Sequence, residues 1–163
     1  MAIRAKRVMG AAIRSGLCGL AMAVAGGFVG TPLGQAAPTN ADIVKGADWK
    51  GMQTVKVEIK EHSYAPKELV FEVGKAYKLE LRNVGEKPHY FTAPEFYKAI
   101  ATRKIEAAKV GEIKVPYIDA LEMMPNGGQL DLYFVPVTKG TYEVFCTIED
   151  HRQQGMEGKI TIK

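Results

Sequence analysis

The sequence predicts an all-β chain: a Greek-key β-sandwich or barrel with one inserted amphipathic helix. Three observations carry that expectation. From residue 54 onward the apolar residues recur with period two in six separate segments, the mark of strands with one buried face. Turn-forming residues separate those segments at short intervals. One stretch, residues 94–110, breaks the alternation with a helix-like period.

Taken in order, Val55, Val57 and Ile59 alternate with Lys56, Glu58 and Lys60. Leu69, Phe71 and Val73 follow, and then Tyr77, Leu79 and Leu81. Pro94 is suited to begin a helix and Gly111 to end it. Between them Phe96, Tyr97, Ile100, Ala101, Ile105 and Ala108 share one side of a helical wheel. Lys98, Thr102, Glu106 and Lys109 fall opposite, with Lys104 the exception, so a helix packed on the sandwich is expected. Alternation resumes at Leu130, Leu132 and Phe134, continues at Tyr142, Val144 and Cys146, and finishes at Ile160 and Ile162. The turn signals are Ala65-Pro66, Gly74-Lys75, Asn83-Val84-Gly85, Asn126-Gly127-Gly128 and Lys139-Gly140.

The first 37 residues differ from the rest. Arg4, Lys6, Arg7 and Arg14 form a basic start, an apolar run of small residues extends from about Gly16 to Gly30, and Ala36-Ala37 offers small residues for cleavage. This is the three-part layout of a secretory signal, and the run is short for a spanning helix, which needs about 20 apolar residues. The expected organisation is a signal over 1–37, an N-terminal extension over 38–53 and one domain over 54–163. In the extension Asn40 or Asp42 is expected to cap a short helical turn, and Trp49 to pin the segment to the core. Export implies a periplasmic location and a mature chain with no membrane span.

Loss of the signal changes the charge. The whole chain has 22 basic and 18 acidic residues; four of the basic ones lie in the signal, which leaves 18 of each. The net positive charge therefore disappears, and no basic stripe with interleaved aromatics suggests nucleic acid. The expected state is a monomer.

It also changes the cysteine count. Cys18 lies in the signal, so Cys146 is alone in the mature chain. A lone thiol in an oxidising compartment has no internal bridge to form, and a metal ligand is one way to occupy it. Its surroundings support that role. Four residues separate Cys146 from His151, and four more separate His151 from Met156. A thiolate, an imidazole and a thioether suit copper and do not suit magnesium or calcium. His89, 57 residues before Cys146, is the candidate fourth ligand. Two imidazoles and a thiolate with a weak axial thioether are the blue-copper electron-transfer set. Zinc also accepts cysteine and histidine. His62, the remaining histidine, is expected to be exposed, and Met123 and Met124 to serve packing.

Over roughly residues 54–163 the sequence resembles the cupredoxin (type 1 blue-copper) family. The matching residues are Tyr64-Ala-Pro66, Leu69-Val-Phe-Glu-Val-Gly74, Asn83 with His89, Gly140-Thr-Tyr-Glu-Val-Phe-Cys146-Thr147, His151, and Gly155-Met156-Glu-Gly158-Lys-Ile160. The spacing of the terminal ligands is similar to that in rusticyanin. The resemblance implies one copper ion cycling between Cu(I) and Cu(II), with His89, Cys146 and His151 as equatorial ligands and Met156 axial. It also implies that Asn83 braces the copper loops, that Thr147 is the hydroxyl residue after the cysteine, and that His151 lies at the surface as the electron's exit. Redox proteins, one donor and one acceptor, are the implied partners. Two features depart from the family: Tyr90 follows the upstream histidine, and the polar Arg152, Gln153 and Gln154 surround His151 where an apolar docking patch is common.

An enzyme is not expected. Three histidines are too few for a multicopper oxidase, and a single cysteine excludes a dinuclear copper loop. Copper handling, in which the same ligands give the metal away, is the alternative to electron transfer.

Overall fold

The computed structural model describes residues 36–163 apart from 108, 109 and 116. The proposed signal lies outside the described residues, except for its last two positions. Among the described residues no helix is long and apolar enough to cross a membrane.

Among the described residues eleven strands build two mixed sheets. The first, of six strands, has the order β2 (Ser63–Ala65), β1 (Gln53–Lys60), β4 (Tyr77–Asn83), β9 (Gln129–Pro136), β6 (Ile100–Ala107) and β7 (Gly111–Ile113). The second, of five, has the order β3 (Glu68–Phe71), β11 (Glu157–Ile162), β10 (Gly140–Phe145), β5 (His89–Thr92) and β8 (Ala120–Met123). The pairs β1–β4 and β3–β11 are parallel and the other neighbours antiparallel. The predicted sandwich is therefore present, and each segment with clear alternation forms a strand. Period two is what places Leu79 and Leu81 of β4, or Ile160 and Ile162 of β11, on the face that meets the other sheet. Aromatic rings fill the centre: Phe71 lies edge-on to Tyr77 and Phe134, with centroids 4.9 and 5.1 Å away, and stacks on Phe96 at 5.9 Å.

The helix expected over 94–110 is not there. Pro94 does open a helix, α2 (Pro94–Lys98), but it lasts five residues and gives way to β6. The cause of the misleading period is a β-bulge. Thr102 pairs with Phe134 and Lys104 with Tyr133, so Arg103 is an extra residue in the strand. Ile100 and Ile105 thus share the inner face although five residues apart, and strict alternation is lost. Lys104 points outward, in ion pairs with Glu106 (2.8 Å) and Glu112 (3.1 Å).

The segment before β1 is also structured. Helix α1 (Asn40–Gly46) is capped by Thr39, not by Asn40 or Asp42. The Thr39 hydroxyl accepts from the Asp42 N–H (3.2 Å), and the Asp42 carboxylate accepts from the Thr39 N–H (3.1 Å). Trp49 packs with α1 residues Ile43 and Val44 on the outer face of the first sheet, over Ala76, Ala101 and Val135. Its indole N–H donates to Val44 (2.8 Å), and Arg103, pushed outward by the bulge, lies 4.6 Å above its ring.

Candidate metal centre

The site is assembled from two places in the five-stranded sheet. Strand β10 ends at Phe145 and delivers Cys146 to the start of a loop that runs to Met156. The loop is closed by its own backbone. Cys146 N–H donates to the Met156 carbonyl (3.1 Å), Met156 N–H to the His151 carbonyl (2.9 Å), and His151 N–H to the Ile148 carbonyl (3.0 Å). Gly155 turns the chain back toward β11 at φ +94°, where a side chain would be strained.

His89 comes from the other direction. It is the first residue of β5, where the sequence places it after a strand, and it pairs with Met123 of β8. Asn83, fully buried at the end of β4, holds the loop between them. Its amide donates to the carbonyls of Lys87 (2.7 Å) and Met123 (2.9 Å), and its side-chain oxygen accepts from Gly85 N–H (2.9 Å). This is the bracing expected of Asn83 for the loop that carries His89; these bonds do not reach the Cys146–Met156 loop, which the resemblance also assigns to it. Replacing it with alanine leaves three groups without this partner. Asn83→Ala is expected to cost about 2 kcal/mol, read as a lower denaturant midpoint of the metal-free protein.

The two arms bring three donors together. The ligand atoms of His89, Cys146 and His151 all lie within 4.8 Å of one another. The Cys146 sulfur is 3.5 Å from Nδ1 of His151 and 4.0 Å from Nδ1 of His89, so both imidazoles present the same nitrogen to it. All are buried: His89 is 0% exposed, Cys146 1%, His151 2% and Met156 0%. Burial, with His151 alongside as the next influence, holds His89 below its usual pKa, and neutral imidazole is the form that binds a metal. Two nitrogens converging on a buried thiol, with a buried thioether at the end of the same loop, fit a single type 1 copper site.

A layer not legible in the sequence surrounds these residues. His62 is not simply exposed. It is partly buried in the turn between β1 and β2, at φ +58°, and its ring meets that of His151 edge-on at 5.0 Å. His151 is correspondingly not at the surface. The adjacent Glu61 faces His89, with Oε1 3.9 Å from Nε2. The Tyr64 hydroxyl donates to the Tyr90 carbonyl (2.6 Å), and burial pushes its pKa strongly upward, the nearby Cys146 adding to this. Met123 is buried and Met124 exposed. Arg152 stacks 4.2 Å above Phe145 and is tied to Glu143 (3.1 Å) and Glu157 (3.3 Å).

Residues 41–162 match the family model for the cupredoxin-like domain. No curated protein sequence matches the chain. Among solved structures, reduced auracyanin from the photosynthetic bacterium Roseiflexus castenholzii is 21% identical with a TM-score of 0.49, covering 69% of this chain and 99% of that one. A multicopper oxidase from Pseudomonas thermotolerans is 18% identical with a TM-score of 0.55, covering 72% of this chain and 31% of the oxidase. A copper-containing nitrite reductase from Thermus scotoductus is 10% identical with a TM-score of 0.53, covering 68% of this chain and 30% of the reductase. With three quarters of its length matched by the family model and the sandwich in place, the chain belongs to the cupredoxin-like domain family.

Proposed function

We propose that this protein is an exported one-electron carrier whose single copper ion is held by His89, Cys146, His151 and Met156. The observation that carries the reading is the convergence of the His89, Cys146 and His151 ligand atoms within 4.8 Å, all buried. Copper bound there supplies a Cu(I)/Cu(II) couple. Cys146 gives up its thiol proton on metal uptake and binds as thiolate. His89 and His151 bind as neutral imidazoles through Nδ1, the nitrogens already facing the sulfur. The closed loop and the Asn83 braces keep the ligands in one arrangement for both oxidation states, which keeps reorganisation small. The His62 ring, against His151, is the partly exposed edge through which a redox partner gains access. The basic start and apolar run before residue 37 support export to the periplasm.

Copper delivery uses the same donors, but four buried ligands favour retention of the ion. The experiment is a titration of purified protein with Cu(II), followed by visible absorption. An intense blue or green band saturating at one equivalent, bleached by mild reductant and restored without copper loss by a redox protein, is the expected result. Transfer of the copper to an acceptor apoprotein would instead establish delivery, and a colourless protein would refute the thiolate–copper site.

A further inference from the structure

His89 Nε2 is buried and has no hydrogen-bond partner, and a buried N–H in that condition costs about 1–3 kcal/mol. The Glu61 carboxylate is 3.9 Å away. That carboxylate is itself built into the loop before His89. Its Oε1 accepts from the backbone N–H of Glu86 (2.6 Å) and Lys87 (3.2 Å). Gly85 leaves the room it occupies, because a Cβ at that position would stand 2.5 Å from Oε1 and 2.8 Å from Oε2. Backbone N–H groups, first its own and then that of Glu86, hold Glu61 below the usual glutamate pKa, so it is an anion at neutral pH.

We infer that Glu61 is a positioning residue for the metal centre: it accepts the Nε2–H of His89, and so fixes the tautomer and the ring orientation that turn Nδ1 toward Cys146. A closing movement of about 1 Å brings the pair to hydrogen-bond distance. A carboxylate behind a ligating imidazole raises the basicity of the ligand and orients its ring. Its negative charge also favours the more highly charged oxidation state of a bound metal.

The assignment rests on the copper reading for its functional meaning, but the test separates the two. In the metal-free protein, imidazole 15N resonances report the His89 tautomer, and exchange of the Nε2 proton reports its protection. Wild type and Glu61→Gln, which keeps an acceptor oxygen, are expected to show the Nε2–H tautomer with a protected proton. Glu61→Ala is expected to show mixed tautomers and exchange at least tenfold faster. Gly85→Ala, which displaces the carboxylate without removing it, should act in the same direction. In the copper-loaded protein both Glu61 variants should shift the reduction potential upward. The same tautomer and the same protection in folded Glu61→Ala as in wild type would overturn the assignment. A wild type without a visible copper band would refute the copper reading and leave the tautomer measurement decisive for Glu61.

Discussion

Cys146→Ser is expected to abolish the visible thiolate-to-copper band completely. Serine is nearly isosteric, but its hydroxyl does not ionise near neutral pH, and its oxygen lacks the sulfur orbitals from which the charge-transfer intensity comes. The protein around it should survive. Cys146 is the first residue after β10, and serine keeps the size and shape of the side chain that faces the two imidazole nitrogens. The metal-free variant is therefore expected within about 1 kcal/mol of wild type. What disappears is the linkage. Copper free at a hundredfold excess over its Kd stabilises the native state by about 2.7 kcal/mol, and that rise in the unfolding midpoint should be absent in Cys146→Ser. A band that survives the substitution would mean that the donors are not those assigned.

Phe71→Ala should have the largest effect on stability, about 3–5 kcal/mol. That is a large part of the roughly 5–15 kcal/mol typical of a folded domain. Phe71 belongs to β3 in the five-stranded sheet, while Tyr77 and Phe134, which it meets edge-on, belong to β4 and β9 in the six-stranded one. The ring is fully buried between the sheets, and its removal leaves a cavity walled by other rings that are themselves held in place. The neighbouring Val70 points outward and is 53% exposed, so Val70→Ala should change stability by no more than about 0.5 kcal/mol. Urea unfolding of the metal-free proteins compares the two. Equal effects would show that β3 does not wedge the sheets apart in this way.

The contrast between those neighbours is what made much of the fold legible. Where a strand has one core face and one outer face, as in β1, β4 and β11, the alternation appears directly in the residues. It failed where local geometry changed the count. The extra residue at Arg103 moved the inner positions of β6 to a spacing of five, and the resulting pattern imitates a helix behind a proline. The short strands β2, β5 and β8 are three or four residues long, too brief for a period to declare itself.

The candidate site was legible for a different reason. Cys146, His151 and Met156 lie within one loop, and residue type with spacing suffices to group them. His89 required the further step of seeking a fourth donor. The layer outside them was not legible, because Glu61 and His62 reach the two imidazoles only through the folding of a turn that is distant in sequence from both. No periodicity or motif reports such an approach.

The order of the five-stranded sheet has a kinetic consequence. Apart from the β10–β11 hairpin, its neighbours are far apart along the chain: β3 beside β11, β10 beside β5, β5 beside β8. Loop-closure entropy must be overcome before such contacts yield any return, so this topology belongs with slow folders, on a scale of roughly milliseconds to seconds. His89 and Cys146 meet only after that closure is complete. The complete donor set therefore exists only on the finished sheet, and a metal that needs all of it is expected to bind after this closure, with refolding at nearly the same speed with or without metal.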